Sequence, residues 1–119
     1  MNNRELGNIG EDAAAGHIAG NGCRILFRNW RVSRMGEIDI IALEKDTLCF
    51  IEVKTRSGNR YGSPAEAVSA AKQKTIVRLA QVYAQQNNCY DKPMRFDVIE
   101  VYMNQDHGIA SINHIKNAF

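Results

Sequence analysis

Three residues in the middle of the chain have the types and spacing for hydrolytic chemistry. Glu52 and Lys54 lie two apart in FIEVKTR (50–56), and Asp39 lies upstream in EIDIIAL (37–43). Side chains alternate faces along a strand, so Glu52 and Lys54 point the same way. The polar stretch EKDT (44–47) between the two apolar runs reads as a hairpin loop. If the hairpin closes symmetrically, Glu44 faces Thr47, Leu43 faces Leu48, Asp39 falls opposite Glu52 and Glu37 falls opposite Lys54. Directly opposed residues share a face, with Cβ atoms about 4.5–5.5 Å apart. Asp39, Glu52, Lys54 and Glu37 then converge on one patch, while Ile38, Ile40, Ile51 and Val53 turn into the core. A loop of odd length would send Asp39 and Glu52 to opposite faces.

Two carboxylates facing each other repel, so a shared proton or a cation is expected between them. With a neighbouring backbone carbonyl they make an oxygen-ligand set suited to Mg²⁺ or Mn²⁺. Magnesium keeps several waters, one of which could serve as a nucleophile. Lys54 is placed to orient that water or to stabilise charge developing on a phosphate. The competing reading is a structural ion-pair network in which Lys54 simply neutralises one acid. That reading leaves Asp39 unexplained.

The elements that must position these residues are legible in the hydrophobic pattern. Leu6, Ile9, Gly10, Ala13, Ala14, His17 and Ile18 fall at helical spacing over about Asn3 to Ala19, and Gly20 and Gly22 end the segment. CRILFRNWRV (23–32) is rich in β-formers, and Gly36 separates it from EIDIIAL. LCFIEVK (48–54) is the next strand, followed by the glycine-containing loop TRSGNRYG. Ser63, Pro64 and Glu66 form a capping box with proline at the first helical position. Val68, Ala71, Ile76, Leu79, Ala80 and Tyr83 mark the buried stripe of a helix running to about Gln86. RFDVIEVYM (95–103) has aliphatics on both faces, as a central or parallel strand requires. IASINHI (109–115) reads as a last edge strand. The order is helix, three strands, helix, strand, strand, without repeats or linkers, which predicts an α/β fold in a single domain over 1–119.

Composition narrows the function classes. The net charge of +2 does not announce a nucleic-acid binder, but its distribution is uneven. Arg24, Arg28, Arg31 and Arg34 lie in a stretch without acids, and from Lys54 to Arg78 six bases stand against one acid, Glu66. The acids collect elsewhere, many of them between Glu37 and Glu52. Basic segments around an acidic focus suit a polyanion held near a metal ion, although scattered bases also keep a small domain soluble. Arg56, Arg60, Lys72 and Lys74 are the candidate nucleic-acid contacts by charge, and Gln73 joins them only through a family resemblance. Cys23, Cys49 and Cys89 form no CxxC pair, and His17, His107 and His114 add no zinc-like spacing. They read as reduced, mostly buried thiols of a cytoplasmic protein. The first residues carry acids and glycines where a signal peptide needs an apolar block, and no apolar run approaches the ~20 residues that span a bilayer.

These stretches resemble a known pattern. GEIDIIA (36–42) and FIEVKTR resemble the two halves of the PD-(D/E)xK nuclease signature, with Asp39, Glu52 and Lys54 at its two acids and its lysine. The resemblance sharpens to the YraN family, also called UPF0102, small bacterial proteins similar to archaeal Holliday junction resolvases. It is carried by GNIGEDAA (7–14), RILFRNWR (24–31), GEIDIIA, FIEVKTR, YGSPAEAVSAAKQ (61–73) and RFDVIEV (95–101), which cover nearly the whole chain. It implies a restriction-endonuclease-like three-layer α/β/α core with a mixed sheet. It implies Asp39 and Glu52 as metal ligands, a backbone carbonyl of Val53 beside them, and Lys54 as base or water-orienting group. Glu11 matches an acid that related nucleases bring to the metal or its waters, and Lys72, Gln73 and Lys74 lie where relatives hold a Gln or Lys near the site. Ile38 replaces the proline of the signature. Val77, rather than a tyrosine, follows four residues after Gln73, which counts against a RecB-like exonuclease. Asp97 is expected to be structural, paired with Arg95 or a loop.

The leading expectation is therefore a Mg²⁺- or Mn²⁺-dependent endonuclease hydrolysing DNA, with branched or junction DNA among its substrates. Cutting a junction in pairs would require a homodimer. The alternatives are a non-catalytic nucleic-acid-binding module that keeps the nuclease fold, and the purely structural ion-pair network.

Overall fold

A computed structural model of the chain describes residues 2–57, 68–106 and 108–119. Helix α1 (Asn3–Gly20) opens on Asn2, whose side chain accepts a hydrogen bond from the Glu5 amide at 2.8 Å. Its buried residues are mostly small, Gly10, Ala14 and Ala15 with Ile18, which lets the helix lie close to the sheet. The approach is tightest at Gly10, where a Cβ would overlap Thr55 Oγ1.

The strands are β1 (Cys23–Val32), β2 (Gly36–Glu44), β3 (Thr47–Ser57), β4 (Met94–Met103) and β5 (Ile109–Ile115), and helix α2 (Ala70–Gln86) connects β3 to β4. They form one sheet in the order β1-β2-β3-β4-β5. The β3–β4 pair is parallel and the other pairs are antiparallel, so the sheet is mixed. Ala14 and Ile18 of α1 pack with Ile40, Ile51 and Ile99 on one face. Ile76, Leu79 and Tyr83 of α2 pack with Trp30, Phe50 and Val98 on the other. The result is the expected three-layer α/β/α arrangement, built by burying both faces of the central strands.

The hairpin register agrees with the symmetric closure. Glu44 pairs with Thr47, Leu43 with Leu48 and Ile40 with Ile51. The turn is the two residues Lys45 and Asp46, with Lys45 in the left-handed region at φ 54°.

Three details differ from the sequence reading. The described part of α2 begins at Ala70, with Ser69 as its N-cap accepting from the Lys72 amide; the Ser63-Pro64-Glu66 capping box lies outside the described residues. Ala71 is exposed rather than buried, because this start turns it outward, and Ala84 joins the buried stripe. Ile38 was expected beside Ile40, Ile51 and Val53. It belongs to the α2 side of the core, whereas the other three face α1. The inversion falls at the rung where Asn29 of β1 takes φ 54°, between the pairs Arg28–Ile40 and Trp30–Ile38. A left-handed residue breaks the two-residue alternation, so Arg28 reaches α1 while Trp30 packs against Tyr83 of α2 with ring centroids 5.3 Å apart.

A second polar cluster lies toward the hairpin turn. Asp97, fully buried, accepts from Arg95 Nε at 2.9 Å and the Asn117 amide at 3.1 Å, and its Oδ2 lies 2.8 Å from His114 Nε2. Arg95 also donates to Glu44 at 2.7 Å. The pairing expected for Asp97 is present, and it ties the residues after β5 back onto β4. Cys23 and Cys49 are buried free thiols and Cys89 is half-buried; burial pushes the Cys49 thiol up to about 11.

Candidate active site

The site forms where the β2–β3 ladder ends. Past the Ile40–Ile51 pair the backbone no longer pairs, and the Asp39 side chain takes over: its Oδ2 accepts the Val53 amide at 2.8 Å. Asp39 and Glu52 are thus held next to each other without a regular rung between them. Burial and the neighbouring Glu52 carboxylate push Asp39 up to about 7, against the Val53 hydrogen bond that pulls it down, and Glu11 adds to the upward push. Glu52 is also raised, by burial first, with Lys72 and Lys54 pulling in the other direction.

Glu52 does not line the cavity that Asp39, Glu37 and Lys54 share, so the four do not form the single patch expected from hairpin parity. Glu52 lies between Ile51 and Val53, which face α1, and its side chain, 7% exposed, meets Lys72 of α2. Its Oε1 is 3.7 Å from Lys54 Nζ and 3.7 Å from Lys72 Nζ. Both distances exceed hydrogen-bond length, so the two ammonium groups balance the charge without filling the carboxylate's acceptor positions. Lys72 reaches Glu52 from α2, whereas Lys54 follows it on β3. Asp39, Val53, Lys54, Glu11, Asn29 and Glu37 line one cavity of about 440 Å³ on the α1 side. Glu37 is held at its wall by Arg31 at 3.1 Å.

Glu11 comes from α1, one residue after the Gly10 contact with Thr55. Its Oε1 accepts from Arg28 Nε at 3.2 Å, Arg28 Nη2 at 3.1 Å and Asn29 Nδ2 at 2.9 Å. Arg28 is shared with Asp12 at 2.6 Å.

The structure therefore brings together Asp39, Glu52, Val53, Lys54, Glu11 and Lys72. It places Gln73 and Lys74 elsewhere: they line a shallow groove on α2 with Val77 and Phe119, and Gln73 Nε2 donates to the Val68 carbonyl at 3.1 Å. Arg56 is on β3 beyond Lys54, with its Nε 3.8 Å from the fully buried Glu100. Arg60 lies outside the described residues. Arg28 and Asn29 were not singled out for the site from sequence. The one available signal was an asparagine, a poor β-former, inside the run RNWR.

The donor set can be judged for a hard cation. Two neighbouring carboxylates, one buried and one half-buried, that both resist ionisation would gain from a divalent ion between them, and oxygen ligands suit Mg²⁺ or Mn²⁺. Among the described residues no group of three or more His, Cys, Asp or Glu side chains is close enough to hold a metal by themselves. The residues fit such a cation: Asp39 and Glu52, with the Val53 carbonyl, would hold it, and its other positions would be left to water.

Comparison with known proteins is consistent with a single family over most of the length. A protein of Acetivibrio thermocellus is 50% identical over 121 residues, covering 99% of this chain and 93% of its own. One from Caldicellulosiruptor saccharolyticus is 46% identical over the full length of both chains. Among solved structures, SfsA of Pyrococcus furiosus in complex with Ca²⁺ matches at 14% identity with a TM-score of 0.42; the match covers 98% of this chain and 64% of that one. The family model described as "Uncharacterised protein family UPF0102" matches residues 10–101, and the chain belongs to that family.

Proposed function

We propose that this protein is a divalent-metal-dependent nuclease that hydrolyses DNA phosphodiester bonds. The observation that carries the reading is the pairing of a half-buried carboxylate, Asp39, with a buried one, Glu52, with Lys54 beside them at the wall of an open cavity. Asp39 and Glu52, with the Val53 carbonyl, would hold Mg²⁺ or Mn²⁺. When bound, such an ion activates a water and polarises a phosphoryl oxygen. Asp39 keeps its orientation through the Val53 amide, which fixes one oxygen and leaves the other for the cation. Lys54 sits between Glu52 and the cavity, where its ammonium group can orient the attacking water and offset charge gathering on the phosphate. Lys72 and Arg56 would meet the nucleic-acid backbone as cations flanking the acids.

Branched DNA is the substrate class to try first, by the likeness of the sequence motifs to junction resolvases, and paired cuts would need a homodimer. Among the described residues no helix is long and apolar enough to cross a membrane; we place the protein in the cytoplasm with its DNA. One observation favours a second reading, a non-catalytic nucleic-acid-binding module: Lys54 and Lys72 already offset Glu52. Cleavage of linear, flapped and four-way DNA in Mg²⁺ or Mn²⁺ separates the two. The nuclease reading expects cutting that Asp39→Ala abolishes. Cutting unaffected by Asp39→Ala, or salt-dependent DNA binding without metal binding, would favour the module.

A further inference from the structure

Asn29 occupies an unusual position. It is a non-glycine residue at φ 54° in the middle of a strand, at the rung where the sheet changes the facing of its side chains. Asparagine is among the few residues that enter this region readily, yet mid-strand it forfeits regular pairing. The flanking pairs Arg28–Ile40 and Trp30–Ile38 set Asn29 level with Asp39. On the same rung its side-chain amide donates to Glu11 Oε1 at 2.9 Å, and Arg28 adds two further donors to that same oxygen. Among the described residues nothing donates to the other oxygen, Oε2. Three donors on one oxygen fix the carboxylate's rotation and leave the second acceptor open, at the wall of the cavity that Asp39 also lines.

We infer that Asn29 is a positioning residue that holds Glu11 so that its Oε2 serves the cation site at Asp39. The inference rests on the metal reading of Asp39 and Glu52. It assigns the left-handed backbone and the side-chain amide of Asn29 a single purpose: the kink brings the amide to α1, and the amide orients the helix acid. Partners that orient metal-site acids are themselves costly to lose, at about 10–100-fold in metal affinity. Asn29 carries no charge, so its removal alters geometry without altering the field at the site. Arg28 lacks that advantage, because deleting a cation would itself favour cation binding.

The test is calorimetric titration of the metal-free protein with Mn²⁺ alone, using Asn29→Gly. Glycine keeps the φ 54° conformation and removes the side chain with its amide, whereas alanine would add strain. Thermal melting verifies that the variant folds. The expected result is Mn²⁺ affinity about ten-fold weaker than wild type, by the cost of losing an orienting partner. In a Glu11→Gln background Asn29→Gly should change nothing further, because the two act through one carboxylate. Unchanged affinity, or an equal loss in both backgrounds, would overturn the inference. A wild-type protein without Mn²⁺ affinity would overturn the metal reading itself. The hold on Glu11 is then judged from the ¹³C signal of its carboxyl group: displacement in Asn29→Gly upholds it, and no displacement overturns it.

Discussion

The Asp39 carboxylate accepts the Val53 amide at 2.8 Å, one residue beyond the last β2–β3 pair. A side chain here does what a backbone carbonyl does elsewhere in the ladder. This fixes Asp39 at the point where the strands part and places it against Glu52.

That placement is costly without a cation. The value near 7 for Asp39 lies above its ordinary 3.8, so the folded chain holds this proton more tightly than the unfolded chain does. The stability it contributes is complete below about pH 4 and is lost as pH rises toward about 7. Asp39→Asn keeps an acceptor for the Val53 amide and removes the charge. It should stabilise the metal-free protein at about pH 8 by an amount on the order of a few kcal/mol, raising Tm by roughly 5–10 °C. Melting curves at about pH 5 and about pH 8 check this; the gain should be clearly smaller at the lower pH, because the loss sets in only above about pH 4.

Divalent-metal stabilisation should have the opposite pH dependence. A cation needs the ionised acids, so Mn²⁺ should raise Tm clearly at about pH 8 and hardly at all at about pH 5, where Asp39 holds its proton. Chelation should reverse the effect. A pH-independent shift would mean that Mn²⁺ binds somewhere else.

The polar cluster at the other end of the sheet should respond to acid. Desolvation pushes Asp97 up, but hydrogen bonds from His114, Arg95 and the Asn117 amide together bring it below its ordinary value. A lowered carboxylate stabilises above its unfolded pKa, and this stabilisation is lost as pH falls below about 4. Asp97→Asn leaves Arg95 short of its buried partner and should cost about 3 kcal/mol in urea unfolding, without weakening Mn²⁺ binding.

Gly10 sets the distance between α1 and β3. Gly10→Ala puts a methyl group against Thr55 Oγ1 and should destabilise the fold by about 1–3 kcal/mol. Because Glu11 is the next residue, the same change should weaken Mn²⁺ binding. Pairing it with Thr55→Ser, which keeps the crowding Oγ1 and removes only a methyl, should restore little of either.

The parts of this site that were readable in the sequence follow two-residue and 3.6-residue periods. Hairpin parity put Asp39 beside Glu52 because the loop length leaves one symmetric register, and the observed pairs obey it down to Ile40–Ile51. Periodicity failed where the backbone leaves the regular regions. The facing of Ile38 changes at the rung of the left-handed Asn29, and no pattern rule anticipates such a residue within β1. Lys72 was placed near the site by the family resemblance; its ion pair with Glu52 depends on how α2 crosses the sheet, a tertiary fact that spacing does not give. Asn29 and Arg28 were missed as Glu11 partners for the same reason: 18 and 17 positions separate them from it in the chain.

The central claim is that Asp39 and Glu52 form a working hard-cation site. Titrating wild type and Asp39→Ala with Mg²⁺ and Mn²⁺ in a calorimeter at about pH 8 tests it most directly. The account predicts saturable binding by the wild type that Asp39→Ala removes. Equal binding by both proteins, or none by the wild type, would contradict it.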